Sequence, residues 1–119
     1  MNNPVVYWEL ASNNAEKSVD FLRKVFDWVP EYDCESTIYE FPAGNSRELF
    51  SGGGVFTLRR SKLPFLTVFI RVKDIDAKAS LIEENGGLIV EAPFEISPTA
   101  KICLFNEPSG VTMAMIEKK

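Results

Sequence analysis

The chain has 119 residues, the size of one domain, and a formal net charge of −4, which argues against a nucleic-acid partner. It contains no histidine, the commonest metal ligand and general base, and its two cysteines, Cys34 and Cys103, lie outside any CxxC pattern. We therefore expect a reduced, cytoplasmic setting, and we expect no membrane partner because neither a signal peptide nor a long apolar run is present.

The first half of the chain predicts a strand, a helix and three further strands. Val5–Leu10 alternates between an apolar face that includes Trp8 and a second face that carries Tyr7 and Glu9. Ser12-Asn13-Asn14 is expected to supply the capping side chains of the following helix, and Asp27-Trp28-Val29-Pro30 is expected to end it. Helical spacing predicts that this helix buries Ser18, Phe21, Leu22, Val25 and Phe26. The further strands are predicted at Ser36–Phe41, Arg47–Phe50 and Val55–Arg60.

The second half of the chain follows the same plan. Phe65–Val72 predicts a strand, Asp74 a helix cap, and Gly86–Gly87 the end of that helix. Three strands should follow, at Leu88–Glu91, Lys101–Phe105 and Val111–Ile116. Ala92–Thr99, which contains two prolines, is predicted to be a loop.

The two halves form an internal repeat with an offset of 60 residues. Tyr7 corresponds to Thr67, and Asn14 to Asp74. Each half reads βαβββ, so the sequence predicts a single α+β domain over 1–119, with module one at 4–60 and module two at 65–117. Together they should form a curved mixed sheet around a concave pocket. The glycine run Gly52–Gly54, just before the last strand of module one, is interpreted as a bulge or a mobile loop.

Three segments carry a resemblance to a known family: YWEL…NAEKSVDFLRKVFDW, VFIRVKDIDAKASLIEENGGLIV and FNEPSGVTMAMIE. In this order and spacing the chain resembles the vicinal oxygen chelate superfamily (glyoxalase/bleomycin resistance protein/extradiol dioxygenase). It departs from the family pattern at Asn14, Asp27 and Asn106-Glu107. The resemblance implies the glyoxalase/bleomycin-resistance-like fold, and in the enzymes a divalent metal held on the concave face.

The metal positions that the resemblance implies are occupied by poor ligands. The first-strand places are Tyr7 and Thr67, and the last-strand places are assigned to Thr57 and Ala114. Zinc favours imidazole, thiolate or carboxylate, and harder ions favour carboxylate oxygens. The expectation is therefore no metal at this position and no cofactor.

The candidate ligand-binding residues are the mixed polar and aromatic side chains expected on the concave face. Glu9 has three interpretations: an ion pair with Arg71, a contact with a polar or cationic ligand, or a general base. Tyr7 either lines a pocket or only packs, and further aromatic walls are expected from Phe56 or Phe69 and from Phe50. The full ligand-binding set is Tyr7, Glu9, Thr57, Thr67, Phe69, Arg71 and Ala114, and no catalytic residue is assigned.

Three classes of function fit these observations. A metal-independent small-molecule binding protein, acting as a homodimer, ranks first. A divergent enzyme of the superfamily ranks second, namely a lyase, isomerase or dioxygenase with a non-standard metal site. A scaffold without a ligand ranks third, since a purely structural face is more often uniformly apolar or uniformly solvated.

Overall fold

The computed structural model describes residues 2–42, 52–58 and 63–119. Within these ranges the chain forms eight strands and two helices. The strands are β1 (Val5–Ser12), β2 (Glu31–Asp33), β3 (Ile38–Phe41), β4 (Gly52–Thr57), β5 (Phe65–Arg71), β6 (Leu88–Ser97), β7 (Ala100–Asn106) and β8 (Thr112–Lys118). The helices are α1 (Ala15–Phe26) and α2 (Ile75–Glu84). The predicted α+β fold with two βαβββ modules is confirmed.

The chain divides into two compact units. One comprises Tyr7–Leu66, and the other joins the N-terminal segment through Val6 to Thr67–Lys119. In the first unit the strand order is β2-β3-β4-β1, and in the second it is β5-β8-β7-β6. Each unit has one parallel pair, β1 with β4 or β5 with β8, and its other pairs are antiparallel. The repeat in the sequence is thus a repeat of strand pairing.

Helix α1 begins and ends where the sequence predicts. The Asn14 side chain accepts a hydrogen bond from the Lys17 N–H at 3.2 Å, so it is the N-cap. The helix ends at Asp27, which adopts the left-handed conformation with φ of 57° and donates its N–H to the Arg23 carbonyl. Both caps use local backbone bonding, which is why they can be predicted from short sequence patterns.

The buried face of α1 differs from the prediction. Ala15 and Val19 are buried and Leu22 packs partly against them, whereas Phe21, Val25 and Phe26 are each more than half exposed. Phe21 and Val25 lie to one side of the strip that faces the sheet, and Phe26 is the last helical residue and contacts Trp28 (ring centroids 5.6 Å apart). Helical spacing identified an apolar helix but misplaced the centre of its buried strip.

Aromatic rings fill the space between α1 and the sheet. Trp8 lies 5.9 Å from Trp28 and 5.8 Å from Phe41, measured between ring centroids, on the side of β1 that faces the helix. Gly53 of β4 lies directly beneath the Trp8 indole, where a β-carbon would overlap the ring. The glycine run is therefore neither a bulge nor a loop. It forms the start of a paired strand, and at Gly53 a side chain is excluded by the Trp8 ring.

The second unit builds its core between α2 and its sheet. Asp74 caps the helix by accepting from the Ala77 N–H at 3.1 Å. The Ile75 N–H, which has no acceptor within the first turn of the helix, donates to Oε1 of Glu117 at 2.9 Å. Gly86, with φ of 90°, follows the helix end as predicted. The buried core residues are Val72, Ile75, Ala79, Cys103, Phe105 and Met115. Cys103 is fully buried, as expected from its place in a strand.

Strand β6 corrects another prediction. It runs without interruption from Leu88 to Ser97, so most of the predicted loop Ala92–Thr99 is strand. Register shifts lie on both sides of Pro93, which has no partner in the ladder with β7. Proline is tolerated here because β6 is the last strand in the order of its unit, and an outer strand can lose a ladder hydrogen bond at a bulge.

The remaining strand predictions differ in their limits or lie outside the described residues. The predicted strand Ser36–Phe41 is the shorter β3, preceded by β2, which the sequence did not indicate. The predicted strand Arg47–Phe50 and the aromatic wall at Phe50 fall outside the described residues. Among the described residues, no helix is long and apolar enough to cross a membrane.

Candidate functional site

Three residues form a row across neighbouring strands of module one. Gly54 of β4 is the Cα partner of Glu9 on β1 and of Glu40 on β3. The two carboxyl groups therefore belong to one row with a glycine between them, and their Cα atoms are separated by two strand spacings, about 10 Å. Strand alternation places this row on the face opposite α1, because the flanking residues Trp8 and Tyr39 pack in the helix-facing core.

Tyr7 occupies the space above the glycine in this row. A β-carbon on Gly54 would overlap the Tyr7 hydroxyl, so only glycine admits the phenol there. The Tyr7 hydroxyl donates a hydrogen bond to Oε2 of Glu40 at 2.9 Å, and the Tyr7 side chain is buried. We call Tyr7, Glu9, Gly54 and Glu40 the Glu9–Glu40 site.

The site raises the pKa values of all three ionisable groups. Burial, followed by the nearby Glu40 carboxylate, raises the pKa of Glu9 from 4.5 to about 7. Burial also raises the pKa of Glu40, although the hydrogen bond from Tyr7 opposes the rise. The pKa of Tyr7 rises well above its ordinary value because burial and the neighbouring carboxylates disfavour a phenolate. The site therefore presents a neutral phenol, a Glu9 carboxyl group that titrates near neutral pH, and a Glu40 carboxyl group whose pKa is raised.

Glu9 is the most available group of the three. Its side chain is half-buried, and no hydrogen bond or ion pair to its carboxyl group is found within the described ranges. The predicted ion pair of Glu9 with Arg71 stays a prediction, and the raised pKa of Glu9 has burial and Glu40 as its causes. A half-buried carboxyl group without a partner can accept hydrogen bonds from a ligand or exchange a proton with it.

The donors of the site do not suit a tightly held divalent metal. A protonated phenol is a poor ligand, and the two carboxyl groups are separated by a full strand. In the part of the chain that the structure describes, no group of three or more His, Cys, Asp or Glu side chains is placed to hold a metal. We therefore derive no step through a metal, and the expected absence of one stays a prediction.

Thr57 does not belong to this face, which corrects the sequence assignment. Its hydroxyl accepts the Ala15 N–H at 3.0 Å, so Thr57 serves the N-terminus of α1 on the helix side of the sheet. Val55, two residues earlier, lies in the core under α1. The last-strand position equivalent to Ala114 is Gly54, because Gly54 pairs with Glu9 as Ala114 pairs with Phe69. The sequence assignment was thus shifted by three residues, and a shift by an odd number of residues exchanges the two faces of a strand.

The same shift decides the outcome for Phe56. From the sequence, Phe56 or Phe69 is expected to be an aromatic wall of the pocket. The register places it two residues beyond Gly54 and therefore on the face of the Glu9–Glu40 site. Its role as a wall for a ligand stays a prediction.

The predicted site residues of module two lie in the other unit. Thr67, Phe69 and Ala114 are buried, and Phe69 pairs with Ala114. The Thr67 hydroxyl donates to the Thr112 carbonyl at 3.0 Å, so its hydrogen-bonding capacity is partly used by the backbone. Arg71, at the end of β5, is exposed and lines a cavity described below.

Glu40 is the site residue that the sequence analysis missed. It stands between Tyr39 and Phe41 in a strand whose alternate residues are apolar, so strand alternation alone places a carboxyl group on the face opposite those rings. The neighbouring Tyr7 and Glu9 were identified because the repeat marked their strand. No repeat partner marks Glu40, since the middle strands of the two modules differ in length.

Comparison with a curated protein gives one relative. The anthracycline biosynthesis protein DauV of Streptomyces sp. (strain C5) is 23% identical over 132 aligned residues, which cover 94% of this chain and 46% of that protein. The chain thus spans about half the length of the curated relative that it matches.

Solved structures share the fold at low identity. A hypothetical protein from Bacillus halodurans C-125 superposes with a TM-score of 0.70 at 17% identity, over 100% of this chain and 96% of that one. A variant of methylmalonyl-CoA epimerase from Streptomyces coelicolor, in complex with 2-nitronate-propionyl-CoA, has a TM-score of 0.69 at 12% identity, over 99% and 96% of the two chains. At these identities the likeness shows the fold alone.

The decisive comparison is with protein families. Residues 5–115, nearly the whole chain, match the family described as the Glyoxalase/Bleomycin resistance protein/Dioxygenase superfamily. The match includes the first two segments that carried the resemblance in the sequence, and all but the last two residues of the third. The chain therefore belongs to the Glyoxalase/Bleomycin resistance protein/Dioxygenase superfamily.

Proposed function

We propose that the protein binds a small organic molecule at the Glu9–Glu40 site without a metal, and that the ligand presents a hydrogen-bond donor or a cationic nitrogen. The observation that carries this proposal is the half-buried Glu9 carboxyl group, which has no partner among the described residues, beside the Tyr7–Glu40 hydrogen bond. Such a group is costly to keep buried unless a ligand donates to it.

The electrostatics of the site favour a cation over an anion. The pKa values of both carboxyl groups are raised in the free protein. A bound cation stabilises their ionised forms and so lowers these pKa values, which makes binding of the cation favourable. An anionic ligand would raise both pKa values further. Binding of a cation should therefore release protons near neutral pH, and this release can be measured by calorimetry in buffers of different ionisation enthalpy.

The related proteins support a small organic ligand. Structural neighbours include methylmalonyl-CoA epimerases in complex with acyl-CoA compounds, and the curated relative is named for anthracycline biosynthesis. These names describe small-molecule chemistry in those proteins. The second-module positions Thr67, Phe69, Arg71 and Ala114 remain proposed contributors to ligand binding.

A proton-transfer enzyme, such as an isomerase or lyase, is the second candidate function. It is favoured by the pKa of Glu9 near 7, the range in which a carboxylate is most effective as a general base at neutral pH. In such a reaction Glu9 would take a proton from carbon, and the neutral Tyr7 phenol, once released from Glu40, could donate a hydrogen bond to a substrate oxygen.

Matched fragments test the binding proposal. Benzylammonium and benzoate have the same ring and opposite charge, and their binding can be followed by NMR through the Tyr7 ring and Glu9 side-chain signals. We expect wild-type protein to bind benzylammonium about tenfold more tightly than benzoate, and Glu9→Gln to remove this preference. Glu16→Gln, which removes an exposed carboxylate on α1, is the control and should leave the preference unchanged. Equal binding of the two fragments would contradict the proposal.

Deuterium exchange separates the two candidate functions. The protein is incubated in D₂O with a 2-methyl acyl thioester, and deuterium at the α-carbon is measured by mass spectrometry. A binding protein should give no exchange above the buffer rate. Exchange that is lost in Glu9→Gln but kept in Glu16→Gln would place the enzyme first.

The metal-free part of the proposal has its own test. Elemental analysis of the purified protein should find no stoichiometric zinc, nickel, manganese or iron, and EDTA should not lower the melting temperature. About one metal ion per chain, with a melting temperature that falls in EDTA, would overturn it. A bound metal would need a further carboxylate beside Glu9, and the candidate in the sequence, Glu48, lies outside the described residues.

A cytoplasmic location is also part of the proposal. Cys34 is exposed and Cys103 is buried, and both are free thiols. An exposed free thiol persists best in a reducing compartment.

A further inference from the structure

A cavity lies within the unit formed by the N-terminal segment and Thr67–Lys119. Its volume is about 650 Å³, within the range of small-molecule sites. Four parts of the chain line it: Asn2–Pro4, the residues from Arg71 to Asp74, the first turns of α2, and Lys118 near the end of β8. None of these residues belongs to the Glu9–Glu40 site.

The lining is strongly basic although the protein is acidic. Four cationic side chains line this single cavity, Arg71, Lys73, Lys78 and Lys118, in a chain with a net charge of −4. The acidic residue in the lining, Asp74, already uses its carboxylate to cap α2. Cations that line one cavity repel one another, and a bound anion relieves this repulsion. The cavity should therefore attract anions although the net charge of the chain is negative.

The backbone around the cavity is held in place. The Arg71 N–H donates to the Pro4 carbonyl and the Val72 N–H to the Ile116 carbonyl, both at 2.8 Å. Asn3, also in the lining, has a φ of 55°, a conformation that non-glycine residues adopt uncommonly. The first bond ties the N-terminal segment to β5 and the second ties Val72 to β8, so backbone hydrogen bonds hold part of the cavity wall.

One wall of the cavity is apolar. Leu81 is 47% exposed and lies in the lining together with Val72 and Ala77. A single inorganic phosphate occupies far less than 650 Å³ and would leave this wall in contact with water. A ligand with both an anionic group and an organic part would satisfy the cations and cover Leu81.

We infer that this cavity binds a phosphorylated small molecule, with its phosphate groups on Arg71, Lys73 and Lys78 and its organic part against Leu81. Phosphate groups suit the cations better than a single carboxylate, because each group offers three oxygens to guanidinium and ammonium donors. The inference does not rest on the proposed function, since the cavity shares no residue with Tyr7, Glu9, Gly54 and Glu40 and favours the opposite charge. Of the other proposed ligand contacts, only Arg71 lines this cavity, and the cavity variant tested below leaves Arg71 in place.

Inorganic tripolyphosphate, which carries several phosphate groups without an organic part, is the probe for the anionic half of the cavity. Its binding is measured by calorimetry and by the NMR shifts of the Ala77 and Lys78 amides in the full chain. The cavity variant is Lys73→Gln with Lys78→Gln. The charge-matched control is Lys17→Gln with Lys24→Gln, which removes two lysines from α1 in the other unit.

We expect tripolyphosphate to bind wild type with amide shifts confined to the cavity. The cavity variant should lose about tenfold or more in affinity, and the control should lose less than about twofold, after a check of both melting curves. Adenosine triphosphate should bind more tightly than tripolyphosphate if the organic part contacts Leu81, and Leu81→Ser should remove that gain.

Three results would overturn the inference. One is no binding by wild type at about 5 mM tripolyphosphate in low salt, where electrostatic attraction is strongest. Another is an equal loss in the cavity variant and the control, which would indicate a general effect of charge. The third is binding to phosphatidylglycerol vesicles without binding to tripolyphosphate, which would identify a membrane surface instead of a soluble phosphate.

Discussion

At the scale of single residues, the charge of the Glu9–Glu40 site depends on which of its carboxyl groups carries a proton. Glu9 and Glu40 share a row of the sheet, and the Tyr7 phenol, excluded from ionisation by burial, donates to only one of them. Glu9 is left to take up the proton as the pH falls through about 7. Burial raises the pKa of both glutamates, and the hydrogen bond from Tyr7 opposes the rise at Glu40 only.

The titration of Glu9 predicts a pH dependence of stability. Its pKa is about 7 in the folded chain and 4.5 ordinarily, so between these values the folded state holds a proton that the unfolded state has lost. The free energy of unfolding should therefore fall as the pH rises from about 4.5 to about 7, and level off above 7. The full shift corresponds to about 3 kcal/mol, and partial exposure reduces this to about 1–2 kcal/mol.

Urea unfolding at pH 5 and pH 8 measures this effect. Glu9→Gln should lose most of the difference between the two pH values, because glutamine does not titrate, and should be more stable than wild type at pH 8. The exposed Glu16→Gln serves as a control and should keep the wild-type difference. A Glu9→Gln variant with an unchanged pH dependence would show that Glu9 is not the titrating group.

At the scale of elements, β4 is defined by its glycines. Gly53 lies under the Trp8 ring on one face of the strand, and Gly54 lies under the Tyr7 hydroxyl on the other. Two large side chains of β1 thus cross over β4, which brings Tyr7 within reach of β3. Glycine is required at these two positions of β4 because large side chains of β1 occupy the space that a β-carbon would need.

The two glycines predict different defects. Gly53→Ala should destabilise the protein by about 1–3 kcal/mol, because its β-carbon overlaps the Trp8 ring in the core. Gly54→Ala should also be destabilising, and it should displace the Tyr7 hydroxyl from Glu40. Urea unfolding gives the stability, and the Tyr7 ring signals in NMR report the displacement. An unmoved Tyr7 in Gly54→Ala would contradict the described packing.

Because Thr57 faces α1, we expect it to stabilise the start of this helix and not to contact the ligand. Thr57→Val should destabilise the protein by about 1–2 kcal/mol, because the Ala15 N–H at the start of α1 loses its acceptor. Binding of benzylammonium should not change, since the side chain faces the helix. Thermal unfolding and the NMR titration test the two halves of this prediction. Weaker ligand binding with unchanged stability would restore the original assignment of Thr57 to the ligand face.

At the scale of the whole molecule, α1 and the segment after it expose several large apolar side chains. Phe21, Val25 and Phe26 are more than half exposed, and Val29 beyond the helix is 76% exposed. Soluble monomers seldom leave a large contiguous apolar patch uncovered. We propose that a second copy of this chain covers this surface, in line with the homodimer expected from the sequence.

Light scattering tests the oligomeric state. At about 100 μM the protein should have twice the mass of one chain, because burial of these side chains favours association. Phe21→Lys with Val25→Lys should shift the mass to that of one chain, whereas the control Lys17→Gln should remain dimeric. A monomeric wild type at this concentration would show that α1 is not a dimer surface.

Local rules explain what could be predicted from the sequence. Helix caps at Asn14 and Asp74 depend on side chains that bond to their own helix, so short patterns predict them. Strand alternation likewise predicts that Trp8 and Tyr7 face opposite sides. The repeat predicts two βαβββ modules, and the resemblance of three segments to a known family indicates the superfamily.

Only the tertiary structure could decide the register of β4, the partner of Tyr7 and the composition of the basic cavity. The register depends on which glycine lies under Trp8, a contact between residues 45 positions apart that no local propensity records. Glu40 becomes part of the site because β3 pairs with β4. Lys118 and Lys73 line the same cavity because β8 pairs with β5. Strand pairing across long stretches of chain therefore determined which charges meet, whereas the sequence by itself determined the elements that carry them.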